Sequence, residues 1–326
     1  MKTEILRLLR ESEGFLSGQQ LCSRFQVSRA AVWKVMEQLK DEGYEIQAVR
    51  NKGYRLVGSP DVLSREELES RIGTRWAGRH VVYFPQTDST NLQAKAAGEG
   101  GSPHGSLFVT DRQSAGRGRR GRAWESPEGE NIYMTLLLRP EFPPERASML
   151  TLVMALAAAE GIETVCGGEV GIKWPNDLVL KGKKICGILT EMSAEVDYIH
   201  YVVIGVGINV NQETFPEEIR ETATSLRLET GKKVIRGRLI AEILKRFEEN
   251  YEIFAGTRDL SGLQEAYSRR LVNRDREVKV LDPAGAYEAH ALGIDERGEL
   301  IVRTREGETR KIFAGEVSVR GIYGYV

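Results

Sequence analysis

The first 60 residues alternate apolar and polar positions in a way that predicts three helices followed by a hairpin. Apolar residues recur at helical spacing in residues 5–9, 18–25 and 29–41, and Ser28 precedes the third run as a helix N-cap. Residues 44–57 then alternate as two strands, with Asn51-Lys52-Gly53 as the turn. This order of elements predicts a winged helix-turn-helix.

The rest of the chain changes pattern twice. After a Gly/Ser/Pro-containing linker at residues 58–66, short apolar strands mix with helices, and this predicts a mixed α/β domain. From residue 277 onward, four short strands separated by turns predict a small β-barrel. The sequence is therefore predicted to be an α+β multidomain chain with domains at residues 1–60, 61–273 and 274–326. The predicted central strands are 80–84, 106–110, 131–138, 171–174, 184–192 and 200–210, the helices 149–166, 235–254 and 260–271, and the last strands 277–282, 286–294, 299–304 and 309–314.

Composition and charge narrow the class of protein. Hydrophobic residues make up 41% and charged residues 29% of the chain, which excludes collagen-like and wholly disordered proteins. The net charge is −1, but the first 60 residues hold 10 Lys and Arg against 7 Asp and Glu, a balance that permits a DNA-binding head. The longest apolar run, residues 149–159, is shorter than the roughly 20 residues of a membrane span. With no signal-peptide pattern and three cysteines that lack a C-x-x-C spacing, we expect a cytoplasmic protein without a membrane partner.

The segment most informative about chemistry is residues 113–124, QSAGRGRRGRAW. It contains G-x-G-x-x-G, but the following Arg-Ala-Trp-Glu-Ser-Pro cannot open the helix that a dinucleotide site requires. What remains is a loop whose glycines allow close approach to a ligand and whose four arginines suit phosphates and carboxylates. A solvated basic loop or a nucleic-acid patch is the competing interpretation.

Four further segments carry weaker signals, and each also has a purely structural interpretation. Residues 87–91, TDSTN, suit a helix cap; residues 173–177, KWPND, suit a β-turn. Lys184 begins an apolar strand and is either a ligand-facing cation or an edge lysine that prevents aggregation. Glycines in residues 205–211, GVGINVN, indicate close approach of a ligand or of another part of the chain.

Taken together, the five segments supply cations and glycines but no nucleophile with a base. The four histidines lie at unrelated places, which argues against a Ser-His or Cys-His relay. Such a site would act by holding anions together. The joining of a carboxylate to the α-phosphate of ATP requires that, because two anions must be aligned and the pyrophosphate charge neutralised.

The chain resembles the bacterial bifunctional biotin–protein ligases and biotin operon repressors. The resemblance rests on D88-S-T-N91, Q113-S-A-G-R-G-R-R-G-R-A-W124, K173-W-P-N-D177, K184-I-C-G-I-L189 and G205-V-G-I-N209, in the family's order and spacing. It covers essentially the full chain and implies that the last domain is SH3-like. It also implies synthesis of biotinyl-5′-AMP from biotin and ATP with Mg²⁺, and transfer of biotin to a lysine of a biotin carboxyl carrier domain.

The resemblance assigns residues to each task. It implies catalytic roles for Lys184, Arg119 and Asp177, of which the role of Asp177 stays open, and no firm metal ligand. The residues implied to bind biotin are Ser89, Thr90, Asn91, Gln113, Gly116, Arg117, Gly118, Arg119 and Lys184. The residues implied to bind ATP or the adenylate are Arg119, Arg122, Trp124, Lys173, Asn176 and Asn209.

The head is expected to bind operator DNA and the ligand-bound protein to dimerise and repress. The residues implied to contact DNA, on the third helix and the wing, are Ser28, Arg29, Ala30, Trp33, Lys34, Arg50 and Lys52. Three alternatives remain at this point: a ligand-sensing transcription regulator without catalysis, a ligase for another acyl group such as lipoate, and a head that only packs against protein.

Overall fold

The computed structural model describes residues 1–282, 285–313, 318–321 and 325. The first unit holds three helices and one antiparallel hairpin, and the Ser17 and Ser28 hydroxyls accept hydrogen bonds from the Gln20 and Ala31 amides at the starts of the second and third helices. Its core is separate from that of the rest of the chain. The predicted winged helix-turn-helix is confirmed, with α1 (Lys2–Glu11), α2 (Gly18–Phe25), α3 (Arg29–Asp41), β1 (Glu45–Val49) and β2 (Gly53–Gly58).

The second unit is built on a seven-stranded mixed sheet. Its strands are β3 (His80–Thr87), β4 (Ser106–Gln113), β5 (Ile132–Leu138), β6 (Gly171–Lys173), β7 (Asp177–Leu180), β8 (Lys183–Ala194) and β9 (Ile199–Ile208), in the order β3-β4-β5-β9-β8-β7-β6. Only the β3–β4 pair is parallel. The helices are α4 (Arg65–Arg71), α5 (Thr90–Glu99), α6 (Met149–Cys166), α7 (Leu226–Thr230), α8 (Arg236–Thr257) and α9 (Gln264–Arg270).

The two faces of this sheet are covered by different helices, because successive side chains along a strand point to opposite faces. Phe108, Leu137 and Val203 pack with Ala94 of α5 on one face. Their strand neighbours face the main core, which contains α6 and α8. Residues 144–166, which include α6, are long and apolar enough to cross a membrane, but 67% of that apolar stretch is buried inside the fold. We therefore describe α6 as a core helix.

The third unit is a five-stranded antiparallel sheet with the order β13-β12-β11-β10-β14. Its strands are β10 (Arg276–Asp282), β11 (Gly285–Ile294), β12 (Leu300–Thr304), β13 (Thr309–Ile312) and β14 (Ser318–Gly321). The sequence pattern predicted four of these strands and missed β14, which pairs with β10. The predicted end of the fourth strand, Ala314, lies outside the described residues. The predicted fold class is confirmed.

The prediction of a turn over Pro175-Asn176-Asp177 needs correction. Asp177 is the first residue of β7 and lies opposite Lys173 of β6, so the turn consists of residues 174–176. Trp174 in this turn is buried, and its indole nitrogen donates to the Gly298 carbonyl of the third unit at 2.9 Å. The motif therefore joins the second and third units as well as reversing the chain.

The predicted linker at residues 58–66 contains a buried aspartate, Asp61, that forms an ion pair with Arg236. The Asp61 side chain is 4% exposed and accepts hydrogen bonds from the backbone and guanidinium of Arg236, at the start of α8. The same guanidinium donates to Asp111 at 2.7 Å, and Asn211 donates to Asp61 at 2.9 Å. A solvated linker would have no such partners, so the segment between the first two units is held against the second unit.

A second buried carboxylate joins the head to α4. Glu67 is fully buried and accepts from Arg10 of α1, from Arg71 of its own helix and from the Tyr44 hydroxyl, each at 2.5 Å. Burial lowers the pKa of Arg10 and raises that of Tyr44, in each case against the charged form. The orientation of the head therefore depends on a compact set of charge-assisted hydrogen bonds.

Candidate active site and DNA-binding face

A cavity of about 460 Å³ lies against the paired strands β8 and β9 of the sheet. Its wall is built by the start of α5, the loop at residues 113–124 (the Arg/Gly loop), the strands β7, β8 and β9, and the segment at residues 212–223. Most residues predicted to bind biotin or ATP line this cavity: Ser89, Thr90, Asn91, Gln113, Arg117, Gly118, Arg119, Arg122, Trp124, Asn176, Lys184 and Asn209, with Asp177 beside them. The topology thus brings together five segments that are far apart in sequence.

One end of the cavity is lined by uncharged side chains that form a hydrogen-bonding network, which Glu191 supports from behind. The Gln113 side-chain oxygen accepts from the Thr90 amide at 3.0 Å and from its hydroxyl at 3.2 Å. Thr135 donates to the Asn91 side-chain oxygen at 2.7 Å, and the Asn91 amide donates to Glu191 at 2.8 Å. Since each of these groups is held by another, this end is preorganised to orient a small polar ligand.

The helix-cap interpretation of residues 87–91 explains only part of the geometry. Ser89 occupies the N-cap position of α5, but its side chain makes no capping hydrogen bond. Its hydroxyl is buried and lies in the cavity wall. The Asp88 carboxylate instead accepts from the Ser89 amide at 2.6 Å and from the Gln93 side chain at 2.9 Å, which lowers the pKa of Asp88. The helix start is therefore satisfied in a way that leaves Ser89 for the cavity.

The Arg/Gly loop folds back on itself as a short hairpin. The Gly118 amide donates to the Arg122 carbonyl at 2.7 Å, and the Trp124 amide donates to the Gly116 carbonyl at 3.0 Å. Arg119 reaches across to the turn of the KWPND motif and donates to the Asn176 side-chain oxygen at 3.2 Å. Burial lowers the pKa of Arg119, and nearby Asp177 opposes that shift. Arginines from this loop therefore face one wall of the cavity.

Two glycines of the paired strands β8 and β9 make room for Trp124. Gly187 and Gly207 lie opposite each other, and a Cβ atom on either would come within 2.9 Å or 2.6 Å of the Trp124 ring. The Trp124 indole nitrogen is buried without a hydrogen-bond partner among the described residues. The strand glycines thus serve close packing of an aromatic side chain within the cavity wall.

The other end of the cavity holds a cluster of charged residues around Asp177. Lys184 lies 2.6 Å from one Asp177 carboxylate oxygen, and the Tyr325 hydroxyl donates to the other at 2.6 Å. The Lys173 ammonium lies 3.4 Å from the centre of the Tyr325 ring, and Lys184 lies 5.4 Å from the Trp124 ring. A lysine, a carboxylate and the half-buried Arg119 thus lie together at the end of the cavity that suits anionic groups of a ligand.

Within the described part of the chain, two of the residues predicted to bind a ligand, Gly116 and Lys173, lie behind the cavity wall and do not line it. Gly116 packs behind Trp124, where a Cβ would meet the Trp124 carbonyl at 2.6 Å. Lys173 is 6% exposed and lies under the Tyr325 ring. Asn209 does line the cavity, but its side chain donates to the Thr224 carbonyl at 3.0 Å and so also holds the segment that follows.

The predicted DNA-contacting residues form one exposed face of the head. Ser28, Arg29, Ala30, Trp33 and Lys34 are exposed on or next to α3, and Trp33 is 58% exposed. Arg50 and Lys52 are exposed in the turn between β1 and β2. A shallow groove lined by Arg29, Arg50 and Lys52 joins the helix to the wing. This face lies on a different unit from the cavity, so the two are distinct candidate sites.

Comparison with known proteins matches each unit. The HTH domain matches residues 2–55, the Biotin/lipoate A/B protein ligase family residues 83–209, and the Biotin protein ligase C terminal domain residues 275–320. The bifunctional ligase/repressor BirA of Bacillus subtilis is 41% identical over 94% of each chain, and that of Escherichia coli is 32% identical over 97% of this chain and 96% of its own. The chain belongs to the biotin–protein ligases. The family predicted from the sequence, and with it the enzyme class, is confirmed.

Solved structures agree with this ligase assignment. A biotin protein ligase from Aquifex aeolicus, in complex with biotin and ATP, is 32% identical with a TM-score of 0.66. It covers 74% of this chain, and this chain covers 99% of it. Biotin and ATP are thus the ligands that relatives of this ligase use, as the sequence predicted.

Sequence reasoning missed four ligase residues that the structure places at or near the cavity. Thr135 and Glu191 hold Asn91, Gln212 lines the wall, and Tyr325 contacts Asp177. Thr135 and Glu191 lie in regular strands, where their types suit ordinary sheet positions. No pattern in the sequence connects Tyr325 with a motif almost 150 positions earlier. Only the three-dimensional arrangement reveals these residues.

Replacing Gly205 with alanine should weaken biotin binding by this ligase. A Cβ at Gly205 would lie 2.1 Å from the Asn91 side-chain oxygen, so Asn91 would have to leave its bonds to Thr135 and Glu191. Overpacking of this kind costs about 1–3 kcal/mol, and we expect the KM for biotin in pyrophosphate exchange to rise about tenfold or more. Gly256→Ala is the control, because a Cβ there meets no atom within 4 Å. An unchanged KM in Gly205→Ala would show that Asn91 does not shape the biotin site.

Proposed function

We propose that the protein activates biotin with ATP to biotinyl-5′-AMP and then transfers the biotinyl group to a specific lysine of biotin carboxyl carrier domains. The observation that carries this proposal is a single cavity with two chemically different ends. The network of Thr90, Asn91 and Gln113 suits the polar ring of biotin, and the cluster of Arg119 and Lys184 suits its carboxylate and the α-phosphate of ATP.

In the first half-reaction the biotin carboxylate attacks the α-phosphate and pyrophosphate leaves. The two reacting groups are both anionic, so cations must neutralise the charge that builds up between them. We assign this task to Lys184 at the charged end of the cavity, together with Arg119 and Arg122 of the loop that lines it. The Trp124 ring, already packed against Gly187 of β8 and Gly207 of β9, supplies a flat surface for the adenine.

In the second half-reaction the acceptor amine attacks the carbonyl carbon of the adenylate and AMP leaves. The amine arrives as an ammonium and must lose a proton first. Asp177 is the carboxylate closest to Lys184 in the cavity, and we assign it as the group that receives this proton. This role is compatible with the ion pair seen here, because Lys184 contacts only one of the two Asp177 carboxylate oxygens and the other can receive the proton.

Magnesium is proposed to enter as part of the ATP substrate. Among the described residues no group of three His, Cys, Asp or Glu side chains could form a protein-made metal site. Mg²⁺ commonly keeps several waters and is held mainly by substrate phosphates with one or two carboxylates. The metal would offset the negative charge of the phosphates.

The decisive experiment is biotin-dependent exchange of pyrophosphate into ATP, with lipoate and octanoate in parallel. Exchange with biotin alone is the expected result, since the end of the cavity around Asn91 and Gln113 is built from hydrogen-bonding groups rather than from an apolar channel. Exchange with lipoate would instead support a ligase for a related acyl group. No exchange with any acid would favour a ligand-sensing regulator without catalysis.

We further propose that the protein is cytoplasmic and that it dimerises when the adenylate is bound. The dimer then represses biotin genes. This rests on the family resemblance, on the helix-turn-helix match and on the exposed basic face of α3 and the wing. Domain boundaries at residues 1–60, 61–273 and 274–326 belong to the same proposal. Sedimentation with biotin and ATP, compared with either alone, tests the dimer.

Replacing Lys34 with alanine should weaken operator binding about tenfold and leave ligation unchanged. Lys34 is exposed on α3 and lies far from the catalytic cavity in the fold. Loss of one contact to a base or phosphate typically costs about 1–3 kcal/mol. Lys40→Ala on the same helix is the control, because that side chain pairs with Glu37. Equal DNA affinity of Lys34→Ala and Lys40→Ala in a binding assay would contradict the assignment of α3 to the major groove.

A further inference from the structure

Tyr325, downstream of β14, contacts the catalytic cluster through both parts of its side chain. Its hydroxyl donates to one oxygen of Asp177 at 2.6 Å, and its ring lies 3.4 Å from the ammonium of the buried Lys173. The residue also lines the cavity that contains Lys184 and Trp124. Tyr325 therefore belongs to the site by position, although no role in the reaction described above requires it.

The contact matters because it engages the oxygen of Asp177 that Lys184 does not hold. Lys184 lies 2.6 Å from the first carboxylate oxygen and the Tyr325 hydroxyl 2.6 Å from the second. The Asp177 side chain is only 16% exposed. A molecule that needs Asp177 as a proton acceptor must therefore compete with the phenol for this oxygen.

Two reagents compete for the acyl-adenylate, and the phenol affects them differently. The acceptor lysine arrives as an ammonium, which adds the attraction between opposite charges to its hydrogen bond with the carboxylate, whereas a neutral donor supplies the hydrogen bond alone. The ammonium can therefore displace the phenol hydroxyl. Water is a neutral donor and has no such advantage over the phenol, which is already held in place by the contact of its ring with Lys173.

We propose that Tyr325 determines the specificity of the transfer step by keeping Asp177 from activating water until the acceptor lysine displaces the hydroxyl. This proposal rests on the function proposed above. In transfer, the ammonium gives one proton to Asp177, the amine nitrogen forms the amide bond, the bond between the acyl carbon and the phosphate oxygen breaks, and AMP leaves with that electron pair; the second nitrogen proton passes to solvent. In hydrolysis, water loses a proton to Asp177, attacks the same carbon and releases biotin and AMP.

The test is a single-turnover experiment with Tyr325→Phe, which removes the hydroxyl and keeps the ring over Lys173. Enzyme loaded with radiolabelled biotinyl-AMP is followed without an acceptor, and then with a purified biotin carboxyl carrier domain at varied concentration. A hydrogen bond to a charged group is typically worth enough to change a rate about tenfold. We expect hydrolysis to rise about tenfold, the KM for the carrier domain to stay equal or fall, and kcat for transfer not to fall.

Two results would overturn the proposal. Hydrolysis within about twofold of the parent protein would show that the hydroxyl does not restrain Asp177. A lower kcat for transfer, whatever happens to hydrolysis, would show that Tyr325 positions Asp177 for the acceptor. Tyr287→Phe is the matched control, because Tyr287 lies in the same terminal unit and packs against Arg310, away from the cavity.

Failure of the proposed function would look different from failure of this inference. If the parent protein forms no biotinyl-AMP from biotin and ATP, the ligase assignment fails before Tyr325 is tested. If the parent forms the adenylate and Tyr325→Phe behaves like it, the ligase assignment stands and only the role of Tyr325 is lost. Thermal unfolding of each variant, which should stay close to that of the parent, confirms that the comparison is between folded proteins.

Discussion

Lys184→Ala is expected to lower biotin-dependent pyrophosphate exchange about 100- to 1,000-fold, the range observed when one preorganised charge-stabilising group is removed from an active site. Lys184 lies in the cavity wall, 2.6 Å from Asp177 and 5.4 Å from the Trp124 ring. Its position at the start of β8 is fixed by backbone hydrogen bonds to Thr222 and Thr224. The ammonium is therefore delivered by rigid structure rather than by a mobile loop.

The neighbouring lysine supplies a control for this substitution. Lys183 has the same side chain and precedes Lys184 in β8, but it reaches away from the cavity toward the Arg220 carbonyl at 3.4 Å. Lys183→Ala should keep full exchange activity. The decisive measurement is kcat at saturating biotin and ATP, since an effect on KM alone would mean that Lys184 contributes only to binding. Equal kcat values for the two variants would remove Lys184 from the catalytic assignment.

The elements of the fold could be predicted well where local patterns decide them. Helices α2 and α6 have the predicted bounds, because capping residues and long apolar runs specify them locally. The short strand β7 was missed, since Pro175-Asn176-Asp177 suits a turn and Asp177 is drawn into a strand only by pairing with Lys173 and Gly187. Tertiary pairing overrides local preference at this position.

The site could be predicted as a set of segments but not as a set of contacts. Glycines in β9 indicated close approach, yet only the structure shows that Gly205 faces Asn91 and Gly207 faces Trp124. Asp61 gave no signal, because an aspartate after proline in a polar stretch suits a solvated linker. Its burial follows from Arg236, 175 positions later, and no single-sequence pattern records a pair so far apart.

The buried pair of Asp61 and Arg236 leads to the second large prediction. Arg236→Met should lower the free energy of unfolding by about 3–5 kcal/mol, because the change removes the shared counterion of two carboxylates. Asp61 is 4% exposed and Asp111 17% exposed, and both accept from this guanidinium. Methionine fills much of the same volume, so the loss would reflect uncompensated charge more than a cavity. Denaturant unfolding of the full chain measures the effect.

Arg238→Met on the same helix is the matched control, since Arg238 is exposed and its loss should change stability by less than about 0.5 kcal/mol.

A second measurement tests whether this network connects the ligand cavity with the head. The Arg236 guanidinium also donates to the Asn131 carbonyl at 3.2 Å, and the Asn131 side chain donates at 2.6 Å to Gln212 in the cavity wall. Because Asp61 lies in the segment that carries the head, Arg236→Met should weaken the effect of biotin and ATP on operator affinity more than it weakens pyrophosphate exchange. Equal losses of both would mean that Arg236 stabilises the fold without transmitting ligand binding to the DNA-binding face.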